Sequence, residues 1–567
     1  MKANIPVYRR ASLWWAILLA VLALLCVLLV LLLQAPNLRK QQTEQRFVPD
    51  QVLLSGSKNQ VAEVAAEAQN ILRASYPAIS FTLVSTATLG DLATIAPNCD
   101  LISQTTDAGG YVVRQYQVVN GPSIQQVTEA IQLAKTKLTF NDVGQDLNWV
   151  TGRPPLTVGG NPWGPEGSPW GPEGSPWGPE GSPWGPEGSP WGKVSSPTGS
   201  QVLDIASEAF RTQWAFSTTV GIRSEAAMAK NVDDNPRQLG ENVLVGVFDT
   251  SPFPVPMRQV TFDMPSGIPL TLALRHPIAG GQPMQNADKG RVPNHGLFVA
   301  GLIHAVAPNS QIELIRVLDD TGQGDLQTLN RALVEFLQRV GSQPGSASPV
   351  QQKPPEGGFS GGVINLSLGI HVLPEERAQG LPTEVQSLRR VLDIATQCFP
   401  VVVVAASGND SADTTTALEA EIPAIWGSDA SFPARQKLIG IGASTKQSDR
   451  ACFSNTGEVA APGGDGGVRP QLCQQLITAC EGDCEYGLLS LSISSPTGYT
   501  YWNGTSFSAP LVSGQAALLL DRGLSPDDVK PCILSTARQS PTANAGNGLA
   551  IADVQSSIDG CTPKTSQ

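Results

Sequence analysis

The chain has 567 residues, more than one compact core usually holds, so two or three folded units are expected. Hydrophobic residues make up 41% and charged residues 15%, as in globular proteins, while 56 Gly and 45 Pro require that part of the length be loop or spacer. The net charge of -12 excludes phosphate-backbone binding as the main task, because that needs clustered Lys and Arg; no nucleic-acid partner is expected.

Residues 13–33 are an unbroken apolar run of 21 residues. As a helix they cross the roughly 30 Å of a bilayer's hydrocarbon core. Lys2, Arg9 and Arg10 precede the run, so the positive-inside tendency keeps residues 1–12 cytoplasmic and sends the rest outside. A cleaved signal peptide has a shorter apolar core ending in small residues, and residues 31–34 (Leu-Leu-Leu-Gln) offer no such end. The expectation is an uncleaved, single-pass anchor in the cell membrane, with Cys26 packed inside it.

Residues 47–150 read as a small α+β domain. An extended stretch at 50–54 precedes a helical pattern at 61–74, further strands follow, residues 111–119 alternate as a half-buried strand, and 123–138 carry apolar residues at helical spacing. The order β-α-β-β-α suits a ferredoxin-like module. Residues 152–199 form a linker. Within it, 162–189 are four copies of Pro-Trp-Gly-Pro-Glu-Gly-Ser, with a fifth begun at 190–192. Two Pro and two Gly in each copy forbid helix and sheet, leaving a spacer of about 30 Å as a coil or up to about 100 Å as polyproline II. Its evenly spaced tryptophans also suit an aromatic groove on a partner. A cut in this exposed stretch would free a soluble C-terminal unit from the anchor.

From 200 to 560 short apolar runs alternate with helical patterns. Residues 243–248, 312–317, 363–368, 401–406 and 438–441 are strands apolar on both faces, with crossover helices at 326–340 and 385–399. This predicts α/β architecture with a doubly wound parallel sheet, whose site gathers at the carboxyl ends of the strands. Of nine cysteines, eight follow the anchor. Cys473, Cys480 and Cys484 are spaced C-x6-C-x3-C, without the C-x2-C halves of a zinc site, so disulfides are favoured over metal.

Asp249 directly follows an apolar strand, which places its carboxylate at a carboxyl end. His295 is one of four histidines and sits in a glycine-punctuated turn that opens a helical pattern. Ser506 opens another helix, where the positive helix end favours a developing anion. Each alone is as readily a turn, surface or capping residue.

Together they carry a resemblance to the subtilisin-like serine proteases (subtilases, peptidase S8 family), covering most of residues 200–555. Four blocks stand in order: Val245-Gly246-Val247-Phe248-Asp249-Thr250, His295-Gly296 through Val299-Ala300-Gly301, Ala405-Ala406-Ser407-Gly408-Asn409-Asp410, and Gly504-Thr505-Ser506-Phe507-Ser508-Ala509-Pro510. The resemblance implies a subtilisin-like three-layer sandwich, a hydrolase acting on polypeptide substrates, and a catalytic triad of Asp249, His295 and Ser506. It implies Asn409 as the oxyanion donor and Ser367, Leu368 and Gly369 as a strand that pairs with substrate backbone. No cofactor is implied; structural calcium is common in the family, but no acidic loop here is specific enough to name its ligands. Residues 47–150 stand where the family carries an intramolecular prosegment. Ser251 departs from the usual Gly, and Leu297-Phe298 from a small hydroxyl residue and a second histidine. The alternative is a catalytically silent scaffold that binds a partner through the N-terminal domain or the Trp-rich repeat.

Overall fold

The computed structural model describes residues 47–102, 110–152, 208–224, 238–255, 257–276, 292–341, 358–372, 384–413, 417–464, 487–493, 498–540 and 549–563. The expected anchor, the heptad repeat and the Cys473, Cys480, Cys484 cluster lie outside the described residues. Among those described, no helix is long and apolar enough to cross a membrane.

The first domain runs β1 (Phe47–Ser57), α1 (Lys58–Arg73), β2 (Ser80–Thr88), β3 (Tyr111–Val119), α2 (Ile124–Leu138), β4 (Gly144–Gly152). Its four strands are antiparallel in the spatial order β2-β3-β1-β4, and both helices pack on one face over Val52, Leu54, Val64, Ala68 and Ile131.

The second unit begins with β5 (Val243–Asp249), β6 (Gln259–Phe262), β7 (Leu270–Arg275), α3 (His295–Val306), β8 (Gln311–Arg316), β9 (Gln323–Asp325) and α4 (Leu326–Gly341). There follow β10 (Gly361–Leu366), α5 (Gln386–Cys398), β11 (Val401–Ala406), β12 (Leu438–Ser444), β13 (Val459–Pro462), β14 (Leu488–Leu491) and β15 (Tyr499–Trp502). The chain closes with α6 (Thr505–Asp521), α7 (Pro526–Thr536), β16 (Arg538–Gln539), β17 (Ala550–Ile551) and α8 (Val554–Gly560). A ten-stranded sheet has the order β16-β17-β13-β12-β11-β10-β5-β8-β7-β6, parallel except at its two edges. The five strands expected from apolar runs are its centre.

Strand alternation divides the interior. Val243, Val245 and Val247 face one layer with α3 and α6, whereas Leu244 and Phe248 face the layer of α4 and α5. The second of these cores continues into the first domain, so the small domain packs on α4 and α5. Its edge strand β4 pairs antiparallel with β9, with Val150 opposite Asp325 and Gly152 opposite Gln323.

Two buried polar residues of β4 meet the helix starts. Asp146 accepts from the backbone N–H groups of Gln386 and Ser387 at 2.7 and 2.6 Å, and Asn148 Oδ1 accepts from that of Gln327 at 3.1 Å. These amides are donors that a helix leaves without intrahelical partners, so side chains of one domain cap helices of the other. A disulfide between Cys99 and Cys398, 299 residues apart, joins the two covalently. A second disulfide, Cys532–Cys561, ties α7 to the C-terminal end of α8.

Candidate active site

The carboxyl end of β5 delivers Asp249, which is fully buried. His295 Nδ1 donates to both its oxygens, at 2.7 and 2.9 Å, since an ionised carboxylate only accepts. The N–H of Thr250 adds a bond to Asp249 Oδ1 at 2.6 Å. Thr250 also fixes the helix that carries the histidine: its hydroxyl donates to the carbonyls of Val292 and Pro293 and accepts from the Gly296 N–H at 3.1 Å. A methyl group on Gly296 would overlap the Thr250 carbonyl, so only glycine lets α3 start this close to the end of β5.

His295 is the first residue of α3 and Ser506 the second of α6, two helices packed side by side. The imidazole lies 5.2 Å from the ring of Phe507 and 6.0 Å from that of Trp502, centroid to centroid. Phe298, in the place of the family's second histidine, is fully buried against Phe507 and Trp502 at 4.4 and 5.1 Å. That departure therefore builds an apolar backing for the imidazole. Ser251, the other departure, is buried beside Asp249.

Ser506 Oγ donates to the Ser367 carbonyl at 3.1 Å, and the Ser367 hydroxyl donates to the Ser506 carbonyl at 2.7 Å. The second bond explains a proline inside α6. Pro510 has no N–H with which to bond the carbonyl four residues back, which is that of Ser506, and Ser367 takes the place of that donor. Asn365 Nδ2 in turn donates to Ser367 Oγ at 2.9 Å, and Ser513 donates to Asn365 Oδ1 at 2.8 Å, tying the end of β10 to α6.

Asn409 follows the end of β11. Its Oδ1 accepts from the backbone N–H and the hydroxyl of Thr505 at 2.9 and 3.0 Å, which leaves its Nδ2 group to donate elsewhere. All the sequence-predicted site residues thus gather here: Asp249 with His295, Ser506 with Ser367, Asn409 one residue away on Thr505, and Leu368 and Gly369 continuing from Ser367.

Sequence reasoning missed a neighbouring group. His371 Nδ1 lies 3.2 Å from Glu421 Oε1 and 3.8 Å from Asp410 Oδ2, with both acids buried. Among the described residues this is the set of His, Asp and Glu atoms that lies within 4.8 Å. Its donors do not fit calcium, which takes roughly six to eight oxygens; this set has two carboxylates and a ring nitrogen. Burial, followed by the charge of Glu421, pushes Asp410 up to about 8.

An open sheet with a carboxylate-held histidine beside a serine at a helix start defines a class, and the sequence agrees: residues 276–550 match the Subtilase family, so the chain carries a domain of that family. Asp249 lies before the matched span and joins it through its bond to His295. The chain is similar to a thermophilic serine proteinase of Bacillus sp. (strain AK1), 28% identical over 43% of this chain and 47% of that protein. It is similar to subtilisin of Bacillus pumilus, 28% identical over 40% and 64%. These matches thus span about half to two-thirds of the relatives' own length. A solved structure titled as proteases from Pseudoalteromonas arctica PAMC 21717 aligns with a TM-score of 0.42 at 22% identity, over 62% of this chain and 97% of that one.

Proposed function

We propose that this chain is a serine endopeptidase that cleaves polypeptides at the outer face of a membrane, where residues 13–33 hold it. The observation that carries the reading is the histidine held by both oxygens of a buried carboxylate, with Ser506 at the head of the adjoining helix.

In this reading Ser506 Oγ turns from the Ser367 carbonyl to His295, which takes its proton as the oxygen attacks the peptide carbonyl. Asp249, an acceptor only, keeps the proton on Nδ1 and so leaves Nε2 basic. The oxyanion is met by Asn409 Nδ2 and by the Ser506 N–H, one of the amides that α6 leaves open at its start. His295 then passes its proton to the leaving amine, and water releases the acyl group from Ser506 by the same route.

Residues 47–150 act in this reading as a prosegment that helps the peptidase fold and restrains it. The two helix caps from Asp146 and Asn148 and the β4 to β9 pairing support this, because they stabilise α4 and α5 only while the small domain is docked.

The test compares the full chain with its Ser506→Ala variant on unfolded casein and on a fluorophosphonate probe. Labelling and cleavage should both vanish in the variant. A folded protein that neither labels nor cuts after the small domain has been released by proteolysis of the repeat and reduction of the Cys99–Cys398 bond would rule the peptidase out and favour a silent scaffold.

A further inference from the structure

Two backbone segments flank Ser506: one runs through Ser367, Leu368 and Gly369, the other through Ser407, Gly408 and Asn409. They are bridged from below. The Glu421 N–H donates to the Ser407 carbonyl at 2.9 Å, and the next residue, Ile422, accepts from the Ile370 N–H at 2.8 Å. The Glu421 side chain reaches the glycines of both segments. A methyl group at Gly369 would overlap Glu421 Oε2, and one at Gly408 would come within 2.9 Å of its Cγ. Glu421 is 7% and Asp410 5% exposed, and His371 closes the group.

In an extended substrate that paired with Ser367 to Gly369 and presented a carbonyl to Ser506 and Asn409, that residue's side chain would enter between the segments, toward Glu421. We propose that Glu421, with Asp410 beside it, makes the peptidase select a lysine or arginine side chain at the residue whose carbonyl Ser506 attacks. This rests on the peptidase reading. The aliphatic stem of either residue suits a passage walled by two glycine Cα atoms, and its cation adds to the partial charge balance that His371 gives the two buried acids. An acidic side chain would meet like charge there, and an apolar one would supply no partner. The raised proton affinity of Asp410 agrees, since the neighbouring acids hold a proton that an incoming cation replaces.

The test uses the full chain and peptides with a fluorogenic amide leaving group, alike except for Lys, Arg, Leu, Phe or Glu before the scissile bond. The expected kcat/KM for Lys or Arg exceeds that for Leu by about 100-fold or more, short of the roughly 10⁴-fold of a site whose polar groups are left wholly unpaired by the wrong substrate. Glu421→Gln should lower the Lys-to-Leu ratio by a similar factor, and Asp410→Asn by about 10-fold. Fluorophosphonate labelling of Ser506 separates the two levels. Absence of labelling after the small domain has been released by a cut in the repeat and reduction of the Cys99–Cys398 bond overturns the peptidase reading and this one with it, whereas labelling with equal cleavage of Leu and Lys peptides overturns this proposal alone. Calorimetric binding of Zn2+ that Glu421→Gln abolishes, with no preference for Lys or Arg, would also overturn it and give the cluster to a metal.

Discussion

Replacing Asn409 with leucine keeps side-chain bulk near the nucleophile and removes one amide donor. Its Oδ1 is held by two bonds from Thr505, at 2.9 and 3.0 Å, so in the parent the donor is fixed before substrate arrives. A preorganised oxyanion donor lowers the barrier by about 3 to 4 kcal/mol, so its loss should reduce kcat by about 10² to 10³. The ground-state carbonyl uses the donor little, and KM should move by less than about threefold. Thr505→Val removes one of the two orienting bonds and keeps the donor, for an expected loss of about 1 kcal/mol, or roughly fivefold. Steady-state hydrolysis of a fluorogenic peptide and the second-order rate of fluorophosphonate labelling report both variants. A folded Asn409→Leu enzyme whose kcat stays within about threefold of the parent would refute the assignment, and so would a Thr505→Val loss as large as that of Asn409→Leu.

Other expectations concern stability. Burial lowers His304 to about 4 while its Nε2 donates to the Ile268 carbonyl, so the folded state binds its proton less readily than the unfolded chain. That contribution, about 3 kcal/mol, is whole above pH 6.5 and is lost as the pH falls from there to about 4; thermal unfolding should weaken over this window faster in the parent than in His304→Gln, and parallel curves would refute it. Ser367→Ala strands the buried Ser506 carbonyl at a cost of about 1 to 3 kcal/mol, and adding Pro510→Ala, which restores the helix N–H, should recover part of it; strictly additive losses in urea would contradict the account of the proline. Asp146→Ala and Asn148→Ala each remove a cap from α5 or α4, worth about 1 to 2 kcal/mol, and should speed amide exchange at Gln386, Ser387 and Gln327. Unchanged exchange would show that the small domain does not hold these helices.

The central sheet was legible because it is buried on both faces: residues 401–406 are four valines and two alanines, and nothing but a covered parallel strand wants that run. The places of Asp249, His295, Ser506 and Asn409, each at or just past the end of such a run or at the head of a helix, were legible because they lie in short local blocks. β4 was not read as a strand. Its Asp146 and Asn148 fall on the polar phase of the strand, and they are buried because helix amides far along the chain satisfy them. β9 is Gln-Gly-Asp, visible as a strand only through its partner. The His371, Asp410 and Glu421 group spans 51 positions as counted from one end of the sequence segment to the other, and no period or spacing unites it. Trp502 and Phe298 each read as ordinary apolar residues, whereas together they form the backing of the imidazole.

The Cys99–Cys398 bond changes what a cut between the domains would do. Severing the repeat would not shed the peptidase, as the sequence suggested, but would yield two chains joined by sulfur, with the fragment bearing residues 13–33 still attached. If residues 13–33 anchor the chain as proposed, release then calls for a reductant or for a second cut between residue 33 and β1. The small domain in such a two-chain form would remain at an effective concentration in the millimolar range, so dilution could not strip it from α4 and α5. Liberation of the enzyme would be governed by the thiol chemistry of its surroundings as much as by proteolysis.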